Sequence, residues 1–181
     1  MSGPGKRISL RQMILDFLPH LKLHLSEIEE LMDNKPLTEE KHIIATEGEV
    51  SLRPFRKEDA PRLAELANNE RIAVNLRDGF AHPYTQEDAE KFIEMALSKP
   101  DQIFAIEYKG EYVGNIGVHL KSDVYRLGAE IGYFLGEPYW GKGIMTKAVN
   151  LACDYAFREL GIVRIDTGVF DFNPPSMRVL E

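Results

Sequence analysis

The sequence predicts a mixed α/β domain, with a central sheet flanked by helices and a helical extension in front of it. Short segments with alternating apolar residues, typical of strands, are interspersed with segments whose apolar residues have helical spacing. One strand-like segment passes through a glycine-containing turn into the most regular helical segment, within residues 133–160. The length of 181 residues suits one domain with a sizeable core and an appendage.

The first 41 residues are predicted to form the helical extension, and the compact domain spans residues 49–181. Apolar residues recur at helical spacing between Ser9 and Met32, and Pro19 splits or kinks this helix. A polar segment around Pro36 ends it. Because two free helices would leave these apolar residues in water, we expect them to pack on the domain or on a second copy, giving a homodimer.

The first half of the domain is predicted to contain three strands and two helices. Residues 50–53 alternate like a strand, and a helix begins near Lys57 with Leu63 on its apolar face. A second helix follows a capping-box-like start at residues 85–88. The turn at residues 109–111 joins two strand-like segments into a hairpin.

The second half is predicted to add two strands and two helices. Residues 129–135 and 163–170 have strand-like patterns, and between them a long helix runs from Ile144 to Leu160. Gly161 is its expected C-terminal stop. Residues 173–176, with prolines in the first turn, begin a short last helix.

The turn before the long helix predicts a phosphate site. Backbone N–H groups at a helix start have no intrahelical acceptor, and the helix dipole adds partial positive charge there. Gly141 and Gly143 would let the backbone approach a pyrophosphate without a Cβ between them. The spacing does not match a Rossmann motif, and no Lys-Ser/Thr pair of a nucleoside-triphosphatase loop follows the glycines, so a nucleotide-binding protein is disfavoured.

Composition excludes several other classes. A net charge of −7 without a sustained basic patch argues against general nucleic-acid binding. One cysteine, Cys153, cannot form an internal disulfide and fits a reducing compartment, and no apolar run approaches membrane-spanning length, so we expect a cytoplasmic protein. His20 and His24 lie four residues apart, but two ligands do not make a metal site, and we expect none.

Four motifs in sequence order resemble the GNAT superfamily of N-acetyltransferases, most closely the ribosomal-protein N-terminal acetyltransferases. They are residues 52–54, 130–133, 140–146 and 173–176. The resemblance covers residues 49–181 and implies the GNAT fold, acetyl-CoA as co-substrate and direct attack by a primary amine. Protein N-termini and small-molecule amines both remain open as acceptors.

The resemblance also implies site residues. Glu130 takes the position of a general base, and Ser176 that of the acid that protonates the CoA thiolate. The residues implied to bind the cofactor are Tyr133, Phe134, Leu135, Trp140, Gly141, Lys142, Gly143, Ile144, Met145 and Asn173. A surface carboxylate and ordinary helix caps are the alternative interpretations of Glu130, Asn173 and Ser176.

Two departures from the family pattern qualify this interpretation. Pro138 stands where the family's phosphate loop usually has Gln or Arg. Family members also continue beyond Glu181 with closing strands, so we expect the edge of the strand at residues 163–170 to be filled by a partner chain or by the segment near residues 43–45. A non-catalytic acyl-CoA-binding or interaction module is therefore the alternative function.

Overall fold

A computed structural model describes residues 43–181. The predicted helical extension at residues 1–41, and its packing on the domain or on a second copy, lie outside the described residues. His20 and His24 lie outside them too.

The described chain forms a six-stranded sheet whose strands lie in sequence order. The first five strands pair antiparallel with their neighbours, and only the last pair, β5 with β6, is parallel. The strands are β1 (Ala45–Glu47), β2 (Val50–Arg53), β3 (Ile103–Tyr108), β4 (Glu111–Leu120), β5 (Gly128–Leu135) and β6 (Arg164–Asp166).

Five α-helices flank or follow this sheet within the described residues. A 3-10 turn at Lys57–Asp59 leads into the first helix, so the predicted start near Lys57 is confirmed to within one turn. The helices are α1 (Ala60–Ala67), α2 (Glu70–Ala73), α3 (Gln86–Leu97), α4 (Ile144–Glu159) and α5 (Pro174–Leu180).

Local sequence signals account for several element boundaries. Lys109 and Gly110 both have positive φ, at 54° and 84°, which is the backbone twist of a tight hairpin between β3 and β4. Thr85 and Asp88 form the expected capping box, because the Thr85 hydroxyl accepts from the Asp88 N–H and the Asp88 carboxylate accepts from the Thr85 N–H. The Thr85 hydroxyl also donates to the Asp88 carboxylate at 2.6 Å, and this bond, with that from the Thr85 N–H, holds the pKa of Asp88 below its usual range. Gly161, with φ 64°, follows the last residues of α4 as predicted.

The core lies on both faces of the sheet. On one face, α4 packs Ala148 and Ala152 against strand residues such as Ile116 and Val118. On the other, α1 and α3 cover Phe55 and neighbouring apolar residues, with Leu63 and Ile93 fully buried. This two-layer burial leaves the end of the sheet near β5 and β6 free to form a site.

A buried ion cluster ties β2 to the elements beside it. The Arg53 guanidinium donates two hydrogen bonds of 2.8 Å to Asp59 and a third, of 2.8 Å, to Glu107. All three residues are buried. Burial opposes the charge of Arg53, but the two carboxylates prevail and raise its pKa. The cluster fixes the first 3-10 turn against β2 and β3.

The structure corrects three sequence-based expectations. The strand predicted at residues 163–170 is only Arg164–Asp166, because its neighbour β5 pairs with it over Gly128–Glu130 alone. A strand requires a hydrogen-bonded partner, so the alternating pattern beyond Asp166 does not form one. The segment near residues 43–45 leads into β1, which pairs with β2 at the edge opposite β6, so the expectation that it fills the β6 edge was wrong. Helix α2 was not predicted.

Candidate active site

The last part of β5 has an open backbone edge. Gly136 N–H donates to Val113 C=O and Lys121 N–H donates to Gly128 C=O, which turns the backbone groups of the even-numbered β5 residues towards β4. The N–H groups of Ile131 and Tyr133 therefore point to the other side. There β6 ends its pairing at Glu130, and the described residues place no strand opposite them.

The turn after β5 is held by Trp140. Its indole N–H donates to the Leu135 carbonyl at 2.7 Å, which satisfies one acceptor on the open edge. The Arg71 guanidinium lies 5.1 Å from the centre of the Trp140 ring and also pairs with Glu137. Trp140 thus fixes the path of the turn through its own N–H and ring face.

The two turn glycines adopt the backbone conformation that favours glycine. Gly141 has φ 73° and Gly143 has φ 71°, and Gly143 is the residue from which α4 begins. No side chain caps the amides of the first turn of α4. A Cβ at either glycine would meet no protein atom within 4 Å, so the space over the turn is open to a ligand.

A side chain of helix α5 contacts a side chain of β5. Tyr133 Oη lies 2.9 Å from Ser176 Oγ, and Asn173 caps the helix by accepting from the Ser176 N–H at 3.2 Å. Burial raises the pKa of the Tyr133 hydroxyl, and the hydrogen bond with Ser176 acts in the opposite direction. Asn173 is therefore a helix cap, as its alternative interpretation expected.

A titratable pair lies on the face of the sheet turned towards α3. His119 on β4 stands directly opposite Glu130 on β5, and the Glu130 carboxylate forms an ion pair with Arg77. The Glu130 side chain is 32% exposed, whereas Arg77 is 81% exposed. Burial of one side of the His119 ring lowers its pKa, and the nearby Glu130 charge acts in the opposite direction.

One cavity of about 1470 Å³ joins these features. It is larger than the usual range for a pocket that holds one small ligand. It therefore has room for an extended cofactor arm and a second substrate. Every residue predicted for the site lines it except Lys142, whose ammonium lies 5.4 Å from the centre of the Tyr139 ring. Those that line it are Glu130, Tyr133, Phe134, Leu135, Trp140, Gly141, Gly143, Ile144, Met145, Asn173 and Ser176.

Comparison with known proteins identifies the family. The family described as "Acetyltransferase (GNAT) domain" matches residues 49–181. The chain belongs to the GNAT acetyltransferase family. Its predicted fold, family and N-acetyltransferase class are confirmed by this match.

Curated relatives of this GNAT domain include three N-acetyltransferases. The uncharacterized N-acetyltransferase p20 of Bacillus licheniformis is 31% identical over 138 residues, covering 72% of this chain and 75% of p20. The spermidine N(1)-acetyltransferase of Escherichia coli (strain K12) is 30% identical, covering 64% of this chain and 61% of the enzyme. The probable N-acetyltransferase YjcK of Bacillus subtilis (strain 168) is 60% identical over 53 residues, which is 29% of each protein. The chain thus spans less than two thirds of the latter two relatives.

Solved structures share the fold. A GNAT-family acetyltransferase from Bacillus anthracis superposes with a TM-score of 0.67 at 24% identity, covering 76% of this chain and 80% of that one. RimJ of Mycobacterium smegmatis, solved in complex with CoA-disulfide, has a TM-score of 0.64 at 24% identity, covering 72% and 67%.

The predicted site residues of the GNAT domain contribute in different ways. The side chains of Phe134, Leu135, Ile144 and Met145 are buried and pack in the core. Glu130, Tyr133 and Ser176 bring functional groups to the cavity. Sequence reasoning gave no role to His119 or Arg77, because their proximity to Glu130 depends on strand register and loop path.

The described residues contain neither a metal-binding cluster nor a membrane-spanning helix. Between residues 43 and 181, no group of three or more His, Cys, Asp or Glu side chains is arranged to hold a metal ion. In the same part of the chain, no helix combines the length and apolarity needed to cross a membrane.

Proposed function

We propose that this domain transfers an acetyl group from acetyl-CoA to a primary amine. The observation that carries the proposal is the meeting of three features in one cavity. These are the open edge of β5, the glycine turn and the uncapped start of α4. Backbone donors on two successive elements suit a ligand that is an extended amide chain at one end and a pyrophosphate at the other.

The residues present fit CoA. The N–H groups at Gly141 to Met145 would hold the pyrophosphate, since positive φ at both glycines turns the backbone and leaves no Cβ in the approach. The N–H and C=O groups of Ile131 and Tyr133 would pair with the pantetheine amides as a further strand would. Trp140 would act indirectly, by holding the Leu135 carbonyl and the turn.

Three side chains would carry the proton transfers. When bound, acetyl-CoA supplies a thioester that a neutral amine can attack directly. Glu130 would take the proton that an ammonium must lose first, directly or through water. Ser176 would give a proton to the CoA sulfur, and the Tyr133 hydroxyl at 2.9 Å would orient the serine. Holding both substrates in one cavity would supply much of the rate by positioning.

The acceptor is proposed as a primary amine, either a protein N-terminus or a small molecule such as a polyamine. The names of similar proteins support both kinds of acceptor. One relative is a spermidine N(1)-acetyltransferase, and one solved structure is RimL, a ribosomal L7/L12 alpha-N-protein acetyltransferase. We propose a cytoplasmic location, because a chain with a single cysteine, Cys153, has no internal disulfide and suits a reducing compartment.

The test is a comparison of cofactor binding with turnover. CoA binding is measured by calorimetry, and thiol release from acetyl-CoA is followed with spermidine, an aminoglycoside and a peptide with a free N-terminus as acceptors. Mass spectrometry of the acceptor then locates the acetyl group. CoA binding without thiol release from any acceptor would favour a non-catalytic acyl-CoA-binding module. Absence of CoA binding would refute the proposal.

A further inference from the structure

Two glycines leave space for the His119 ring on the floor of the cavity. Gly117 and Gly132 stand opposite each other on β4 and β5, one pair away from His119 and Glu130 and on the same face of the sheet. A Cβ on Gly117 would lie 2.7 Å from His119 Nε2, closer than atoms can pack, and one on Gly132 would lie 3.8 Å from it. The Nε2 edge of the ring therefore occupies space that a side chain at position 117 would fill.

His119 is chemically available in this position. Within residues 43–181, neither ring nitrogen has a hydrogen-bond partner, and the ring lines the same cavity as Ser176. Directly opposite residues in an antiparallel pair have Cβ atoms about 5 Å apart, so the Glu130 carboxylate and the imidazole share one region of the cavity. The ring is exposed, so both of its nitrogens are accessible to a substrate in the cavity.

Partial burial favours the neutral, proton-accepting form of His119, and the surrounding charges act in both directions. The facing charged groups are Glu130 on β5, Lys99 after α3 and Arg77 after α2. Burial lowers the pKa of His119 most, the two cations lower it further, and Glu130 raises it. Glu130 itself is engaged by Arg77, so one of its oxygens is already occupied.

We propose that His119 is a second proton acceptor for the incoming amine, acting with Glu130 as one cross-strand acid–base pair. This inference rests on the proposed function. The ammonium gives one proton to His119, and the nitrogen lone pair then attacks the acetyl carbonyl. The C–N bond forms, the C–S bond breaks, and the sulfur takes a proton. The second proton leaves the nitrogen through water as the amide forms and replaces the one that Ser176 gave to the sulfur, and His119 returns its proton to solvent. Glu130 stabilises the imidazolium in between.

Chemical rescue tests this assignment. In His119→Ala, the space over Gly117 and Gly132 is empty and can take a free imidazole. We expect kcat at pH 7 to fall by about 100-fold, within the usual range for general-base catalysis, while the CoA dissociation constant stays unchanged. Added imidazole should restore the rate in proportion to its neutral fraction. His119→Gln, which cannot titrate here, should lose the acid limb of the pH–rate profile.

Two more variants separate a proton-transfer role from a structural one. Gly117→Ala should displace the ring and lower kcat, but should cost little more when added to His119→Ala, because both act through the same side chain. Glu130→Gln should lower the pKa of His119 in an NMR titration and shift the acid limb of the pH–rate profile to lower pH by the same amount.

Each outcome decides a separate point. If the parent protein binds CoA but acetylates none of the three acceptors, the proposed function fails and this inference fails with it. If the parent is active and His119→Gln keeps both the parent rate and the parent pH profile, the inference alone is wrong. The inference alone is also wrong if the parent is active and added imidazole leaves the rate of His119→Ala unchanged.

Discussion

Tyr133 Oη lies 2.9 Å from Ser176 Oγ, and this contact joins the open edge of β5 to the first turn of α5. Asn173 fixes the same turn by accepting from the Ser176 N–H. Two separate elements therefore orient one serine hydroxyl towards the cavity. A hydroxyl held in this way is suited to give up a proton at a defined place.

Ser176→Ala should lower kcat by about 10- to 100-fold without changing the affinity for CoA, because it removes the proton donor and leaves the backbone contacts. Tyr133→Phe is the matched variant, since it keeps the ring and removes only the hydroxyl that orients Ser176. We expect a smaller loss from it. Steady-state kinetics measures kcat of the two variants, and calorimetry measures their affinity for CoA. Equal activity of Ser176→Ala and the parent would remove Ser176 from the mechanism.

Gly143→Ala should weaken CoA binding at least tenfold, and Gly161→Ala should not. Both glycines have positive φ, 71° and 64°, and at neither would a Cβ meet a protein atom within 4 Å. Each substitution should therefore destabilise the fold by about 1–2 kcal/mol through the same backbone cost. Only Gly143 lies in the turn proposed to bind pyrophosphate. Equal CoA affinity of the two variants would contradict the phosphate site.

His119 should make the stability of the fold depend on pH. Its pKa is lower in the folded chain than its ordinary value of 6.5, mainly because of burial. Between these two values the unfolded chain binds more protons, so the free energy of unfolding falls as the pH falls. Relative to His119→Gln, the parent should lose stability as the pH falls through 6.5 towards the lower pKa of the folded chain. Urea unfolding of both proteins at several pH values measures this, and a constant difference would show that burial does not shift His119.

Arg53→Met should destabilise the fold by about 3–5 kcal/mol, because it leaves Asp59 and Glu107 buried without their shared cation. Arg62→Met is the control. Its ion pair with Glu65 is largely exposed, so its loss should cost much less. Urea unfolding measures the free energy of unfolding of the two variants relative to the parent. A similar loss from both would show that the buried cluster does not hold β2 to its neighbours.

The glycine turn and helix start of the candidate site could be predicted from the sequence because they depend on local geometry. Gly141, Gly143 and the helix that follows them are adjacent in the chain, so strand, turn and helix start could be read together. The capping residues Thr85, Asp88 and Asn173 were likewise within three or four residues of their partners. Local patterns of this kind can be recognised in the sequence without knowledge of the tertiary structure.

The arrangement of His119, Glu130 and Arg77 around one region of the cavity could not be predicted in the same way. His119 and Glu130 are opposite because of the register of β4 and β5, and Arg77 reaches Glu130 from a loop 53 residues away. The alternating pattern at residues 163–170 predicted a longer strand, but a strand exists only where a neighbour pairs with it. Helix α2, four residues long, was too short to give a periodic signal.

The sequence by itself determined the fold class, the order of most elements and the glycine turn with its helix start. These follow from periodicity and from backbone preferences of residues close together in the chain. Only the tertiary structure decided that β5 and β6 part after Glu130, that Tyr133 meets Ser176, and that His119 lies over Gly117 and Gly132. These are contacts between distant segments, set by strand register and by packing on both faces of the sheet, and no local pattern encodes them.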